Sequence, residues 1–218
     1  MSHRDMVVIG ASAGGIEALQ QLARALPAAL PATVFITVHF PEQASSALPR
    51  ILARAGALSA SHAVDGEMIE RARIYVAPPD SHLVLSPEGI RLGRGPREHG
   101  NRPAIDPMFR SAAIAFGRRV IGVVLTGTLD DGTSGLAEIK RYGGLAVVQD
   151  PADAEFSSMP RSAIDHVAVD WIVPIELLGR TLVDLIAEPL GDPPASIPRP
   201  VASSPCPDPA APRAQSSA

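Results

Sequence analysis

Two β-branched apolar runs, residues 6–10 (MVVIG) and 33–39 (TVFITVH), flank a segment in which Ile16, Leu19, Leu22, Ala23 and Leu26 recur at three- and four-residue spacing. The runs suit strands covered on both faces, and the spacing between them suits one face of a helix. A strand, crossover helix and second strand in this order demand parallel pairing. The alternation resumes downstream: DPMFRSAAIAFG (106–117) reads as a helix, RVIGVVLTG (119–127) as a buried strand, GTSGLAEIKRYG (132–143) as a helix and LAVVQD (145–150) as a strand. A last helix is expected over 174–188, with Pro174 near its start and Ile175, Leu178, Leu182, Leu185 and Ile186 on its apolar side. A helix is also expected over 43–56, distorted or begun by Pro49. Between 73 and 95 the pieces RIYVAPP, SHLVLS and GIRLG, punctuated by PPD and PEG, suggest a small antiparallel hairpin insertion. The expected fold is α/β: a doubly wound three-layer α/β/α sandwich with a mostly parallel sheet.

With 218 residues, 46% of them apolar, the chain can bury one sizeable core, and the periodic elements reach about residue 190. One domain over 1–190 is expected. From Gly191 to Ala218 the sequence is rich in Pro, Ala and Ser and reads as a disordered tail. A net charge of −4 with only 19 Lys plus Arg argues against a nucleic-acid partner. The single cysteine, Cys206, leaves neither an intrachain disulfide nor a thiolate metal cluster. No apolar run approaches the ~20 residues that span a bilayer, and MSHRD lacks a signal core, so a cytoplasmic protein without membrane insertion is expected. No cofactor or metal is expected.

In an open parallel sheet the ligand crevice lies beyond the carboxyl ends of the strands. Ser12 follows VVIGA, His39 closes TVFITV, and Asp130 and Asp131 follow VIGVVLTG across Thr128 and Leu129. These residue types complement one another. A serine hydroxyl is a poor nucleophile until an imidazole takes its proton, and the imidazole needs a carboxylate to fix its tautomer. His62, His82, His99 and His166 are less suited as the base, and His82 reads as structural or as a pocket residue. GASAG satisfies the short G-x-S-x-G pattern, yet the order serine, histidine, acid is not that of the α/β-hydrolases. GASAGG lacks the central glycine of a dinucleotide fingerprint, and no Gly-Lys-Ser/Thr ending supports a P-loop.

The strings VVIGASAGGIEAL, VHFPEQ, YVAPPDSHLVL, REHGNRPAIDPMFRSAA, VIGVVLTGTLDDGTSGL and QDPADAEFSSMPRSAI run from Val7 to Ile164, within a match that extends roughly from Val7 to Ile186. In them the chain resembles the catalytic domain of the bacterial chemotaxis receptor protein-glutamate methylesterases, the CheB-type family. The resemblance implies a serine hydrolase that removes methyl groups from glutamate γ-methyl esters of methyl-accepting chemoreceptors, with receptor glutamine deamidation as a second activity. It places the family's nucleophile on Ser12, its histidine on His39 and its acid on Asp131, which precedes Gly132 as the motif requires; Asp130 is the competitor. Backbone amides near Ala13 and Thr128 are the oxyanion candidates, and Asn101 and Arg102 are candidates for the substrate approach.

Two departures stand out. The family's loop reads T-G-M-G-x-D-G, whereas this chain has TGTLDDG, placing a Cβ at Leu129 where any left-handed backbone would be strained. The pattern also begins almost at Met6, so regulation by a receiver domain is either absent or supplied by a separate regulatory partner. The alternatives are a serine hydrolase of another ester or amide, and a catalytically weak module that binds a receptor or signalling complex.

Overall fold

A computed structural model describes residues 3–39 and 46–191. β1 (Met6–Ala11) is buried at every position, as a strand covered on both faces must be. It lies inside a seven-stranded parallel sheet in the order β3 (Ser59–His62), β4 (Arg73–Val76), β2 (Thr33–Val38), β1, β7 (Val120–Val124), β8 (Leu145–Gln149) and β9 (Trp171–Val173).

Alternate residues of these strands feed two cores. Val7, Ile9, Val34, Ile36 and Ile121 face α1 (Gly15–Ala25), α2 (Leu48–Ala55) and α6 (Ile175–Ala187). Met6, Val8, Phe35, Tyr75 and Val124 face α3 (Ile105–Phe116), α4 (Thr133–Arg141) and α5 (Ser158–His166). The period of two that a continuous apolar run hides in the sequence therefore becomes a division between two helical layers. The apolar side expected for the last helix is buried as a seam of Ile175, Leu178, Leu182, Leu185 and Ile186.

Several expectations are corrected. RIYV is not part of the hairpin insertion; β4 pairs in parallel with β2 and β3 inside the main sheet. The antiparallel insertion is only β5 (His82–Ser86) with β6 (Gly89–Gly93), packed on α3. β3, α5 and β9 were not anticipated. α2 starts at Leu48 with Pro49 in its first turn, where a missing N–H costs nothing. Ser46 and Ala47, included in that expected helix, precede the first turn of α2, and the expected residues 43–45 lie outside the described residues, as does the tail beyond Gly191. Among the described residues no helix is long and apolar enough to cross a membrane.

The chain runs from β1 outward to β2, then returns across β1 to β7, so the winding reverses beside β1. Such a reversal opens a crevice at the carboxyl ends of β1, β2 and β7.

Candidate active site

Ser12 is the first residue beyond β1. The chain turns through Ala13 and Gly14 into α1, with Gly14 left-handed at φ +72°. The Ser12 amide donates to the Thr126 carbonyl (3.0 Å), anchoring the serine to the exit of β7. Thr126 Oγ1 donates to the Ala13 carbonyl (3.0 Å) and accepts from the Phe156 amide (2.8 Å), while the Thr126 amide donates to Gln149 Oε1 (2.9 Å). Three strand-end loops are thus stitched together behind Ser12. At Gly127 a Cβ would lie 2.8 Å from the Ser12 Cβ, so only glycine lets the loops approach this closely.

His39 is the first residue beyond β2 and bridges the crevice. Its Nδ1 lies 3.0 Å from Ser12 Oγ and its Nε2 lies 2.7 Å from Asp131 Oδ2. An ionised Asp131 accepts only, so the proton of a neutral His39 sits on Nε2 and the Nδ1 lone pair faces the serine hydroxyl. The ring nitrogens thus have the reverse assignment of the chymotrypsin arrangement while serving the same acid–base logic.

Asp131, 1% exposed, lies in the loop between β7 and α4. Burial pushes its carboxyl upward, but the His39 hydrogen bond, the Ile105 amide (2.7 Å on Oδ2) and the Asp106 amide (3.0 Å on Oδ1) outweigh it and hold the group below the usual carboxylate range. These are the first amides of α3, so Asp131 caps one helix while its own helix is capped in return. Asp106 Oδ1 accepts from the Gly132 (3.1 Å) and Gly135 (2.7 Å) amides at the start of α4. The exchange fixes both helix N-termini and, through them, the acid.

Burial raises the Asp106 carboxyl, as does the neighbouring Asp131 charge. His99 Nε2 contacts Asp106 Oδ2 at 3.1 Å and its Nδ1 lies 3.4 Å from Asp130 Oδ1. Burial lowers the His99 imidazole, but the charges of Asp131, Asp106 and Asp130 win and raise it overall. Asp130 itself is exposed and turns to His99, so Asp131 is the acid that meets His39. His99, Asp106 and Asp131 offer metal-ligand atoms within 4.8 Å of one another, yet the Asp131 oxygens are already engaged by His39 and two backbone amides.

The remaining sequence candidates fall in different places. Ala13 follows Ser12 at the helix start, and Thr128 is exposed in the loop after β7. Asn101 closes a tight turn, exchanging backbone bonds with Glu98 and donating its side-chain amide to the His99 carbonyl (2.9 Å). Arg102 clamps Asp80 Oδ1 through Nε (2.8 Å) and Nη2 (2.6 Å) and donates to the Gly95 carbonyl. Neither Asn101 nor Arg102 is among the partners of His39 or Ser12. His82 bonds the Pro96 carbonyl and the Ala104 amide, as a structural histidine would. Leu129 does adopt the left-handed conformation, φ +67°, and is 67% exposed. Thr126, Gln149 and Asp106, which hold the loops in register, were missed; an aspartate at the first position of an expected helix was the one available signal for Asp106.

Comparison with known proteins identifies the family and the fold. The family model for the CheB methylesterase matches residues 7–182. A Pyrococcus abyssi protein-glutamate methylesterase/protein-glutamine glutaminase is 36% identical over 184 residues, covering 83% of this chain and 50% of the relative. A Rhodospirillum rubrum protein of the same description is 37% identical over 182 residues, covering 82% and 50%. The chain therefore spans about half the length of these relatives, whereas it covers 94% of a Leptospira interrogans relative that is 37% identical over 182 residues. The crystal structure of the Thermotoga maritima CheB methylesterase catalytic domain superposes with a TM-score of 0.81 at 30% identity, over 85% of this chain and 100% of that one. Fold, crevice and sequence converge: the chain belongs to the CheB methylesterase family.

Proposed function

We propose that the protein is a protein-glutamate methylesterase that hydrolyses glutamate γ-methyl esters of a methyl-accepting chemoreceptor to glutamate and methanol. The observation that carries this reading is the unbroken chain from Ser12 Oγ to His39 Nδ1 (3.0 Å) and from His39 Nε2 to Asp131 Oδ2 (2.7 Å). Ser12 Oγ attacks the ester carbonyl as His39 Nδ1 takes its proton, giving a tetrahedral oxyanion. The Ala13 amide, next in the chain after Ser12, is the candidate donor to that oxygen, with the backbone at Thr128 as the second candidate. The Ser12 amide is spent on Thr126 and takes no part.

Collapse of the intermediate breaks the C–O bond to methoxide, which leaves as methanol with the proton from His39. A water molecule, deprotonated by His39, then attacks the acyl-enzyme, and Ser12 leaves with the returned proton as free glutamate forms. Asp131 keeps the Nε2 proton in place and stabilises the imidazolium between steps. The same steps with ammonia in place of methanol would deamidate glutamine, the second activity in the names of the relatives.

The test is methanol release from a methylated chemoreceptor signalling domain by the purified protein beside Ser12→Ala, with an active methylesterase as control. Release lost with Ser12 supports the reading. No release from either protein while the control works overturns it in favour of another ester or amide, or of receptor binding without turnover.

A further inference from the structure

The loops after β7 and β8 each expose a large apolar side chain beside an acid, and the acid after β7, Asp130, is already turned to His99. The loop after β7 exposes Leu129 (67%) beside Asp130, and the loop after β8 exposes Phe156 (40%) beside Glu155. The loops are held together rather than merely adjacent. The Gly127 amide donates to the Phe156 carbonyl (2.9 Å), the Phe156 amide to Thr126 Oγ1 (2.8 Å) and the Met159 amide to the Gly127 carbonyl (3.0 Å).

Glu155 lies flat across the first turn of α1. A Cβ at Gly14 would meet the Glu155 Oε2 at 2.7 Å and its Cβ at 3.0 Å, which places the carboxylate two residues from the nucleophile. Among the described residues it has no ion-pair partner, and the cation that follows it in the chain, Arg161, bonds Ser157 Oγ instead (3.2 Å). Exposed Glu17, in the first turn of the same helix, adds to the negative charge on this side. An acid beside a helix N-terminus is favourable for the helix alone. That role does not account for the large apolar side chains of Phe156 and Leu129, left exposed on two loops that are bonded to one another.

We propose that Glu155, together with Phe156 and Leu129 on the two bonded loops, forms a specificity rim that selects substrate segments carrying a lysine or arginine and an apolar residue beside the reactive ester. The proposal rests on Ser12 being the nucleophile and deepens that reading by naming the substrate chemistry. The rim is solvent-facing, so its effect is a matter of encounter and binding and is weakened by salt.

The experiment is the second-order rate of Ser12 acylation by a matched pair of activated p-nitrophenyl esters, one with a trimethylammonium tail and one with a sulfonate tail. At low ionic strength the cationic ester should react roughly two- to five-fold faster, with the preference fading at high salt. Glu155→Gln should bring the ratio close to one, and Glu155→Lys should invert it. Both rates come from one sample, so any misfolded fraction cancels, and a merely helix-capping glutamate would lower the melting temperature without moving the ratio. Equal rates in the wild type, or a ratio indifferent to both substitutions, overturn the rim while leaving the methylesterase reading to its own methanol assay. Acylation by neither ester overturns both.

Discussion

Two buried carboxylates stand at opposite ends of the central sheet and are satisfied in opposite ways. Asp5, at the foot just before β1, is gripped by Arg119 through Nε (2.8 Å) and Nη2 (2.9 Å) and touched by Arg71 (3.1 Å). Asp131, beyond β7, has no guanidinium among its partners; it accepts two helix amides and His39. A fully paired ion has little left to offer, whereas a carboxylate held by backbone dipoles keeps its charge for the one partner that changes protonation. The foot is built for holding strands and the crevice for holding a proton, so the two aspartates should fail differently.

The largest difference is expected in rate. Asp131→Asn leaves an acceptor for the helix amides but no longer enforces the Nε2 proton on His39, and kcat for ester hydrolysis should fall by about 10^4-fold. Asp5→Asn should leave the rate per folded molecule unchanged. Stopped-flow acylation of both variants checks this, and a rate loss in Asp5→Asn would erase the distinction.

Stability should show the reverse order. Removing one partner of a buried ion pair costs about 3–5 kcal/mol, but Arg71 and Arg119 are 69% and 41% exposed and regain water, so Asp5→Asn should cost about 1–3 kcal/mol in chemical denaturation. A cost under about 0.5 kcal/mol would show that the foot does not depend on its charge.

The sequence made the crevice legible for a simple reason. Ser12 and His39 directly end strongly apolar runs, so the strand assignment and the site came from one signal. Asp131 was separable from Asp130 only through the family motif, because both follow the same strand and only burial distinguishes them. What stayed hidden depends on pairings distant in the chain. The half-exposed SASH of β3 and the three residues of β9 lack an inward run, and α5 carries Pro160 in its first turn. RIYV was assigned to a hairpin because the sequence following it is one; only the register with β2 puts it in the main sheet. The exchange of caps between Asp106 and Asp131 joins residues 25 apart, and no local pattern encodes it.

Titration sharpens the contrast further. Asp131 is held below its usual value of 3.8, so its contribution is complete above the unfolded carboxyl pKa and is lost as pH falls through the lower, folded one. Asp106, raised by burial, pulls the other way, and wild type minus Asp131→Asn is therefore the informative quantity; the gap should narrow below about pH 4. His99 is raised above 6.5, so its stabilisation is complete below the unfolded imidazole pKa and disappears as pH rises through the folded one. Denaturation midpoints of wild type should decline gently on the alkaline side of pH 6.5, and His99→Gln should remove that decline. An unchanged slope would mean that the charges of Asp131, Asp106 and Asp130 do not reach the ring.

The smallest effect belongs to Leu129, which stands between the two kinds of constraint. Its φ of +67° costs a non-glycine residue roughly 1–2 kcal/mol, and its 67% exposure returns little burial. Glycine at the position relieves the strain but adds about 0.4–1 kcal/mol of unfolded-state entropy, so Leu129→Gly should stabilise the fold by no more than about 1 kcal/mol. A chain gains nothing in stability from keeping leucine in this conformation, which turns the question toward the crevice mouth. If Leu129→Gly raises the denaturation midpoint while slowing acylation by esters with an apolar branch beside the carbonyl, the strain is retained for substrate contact. If it lowers the midpoint instead, the leucine is packing against the loop and the rim loses one of its apolar members.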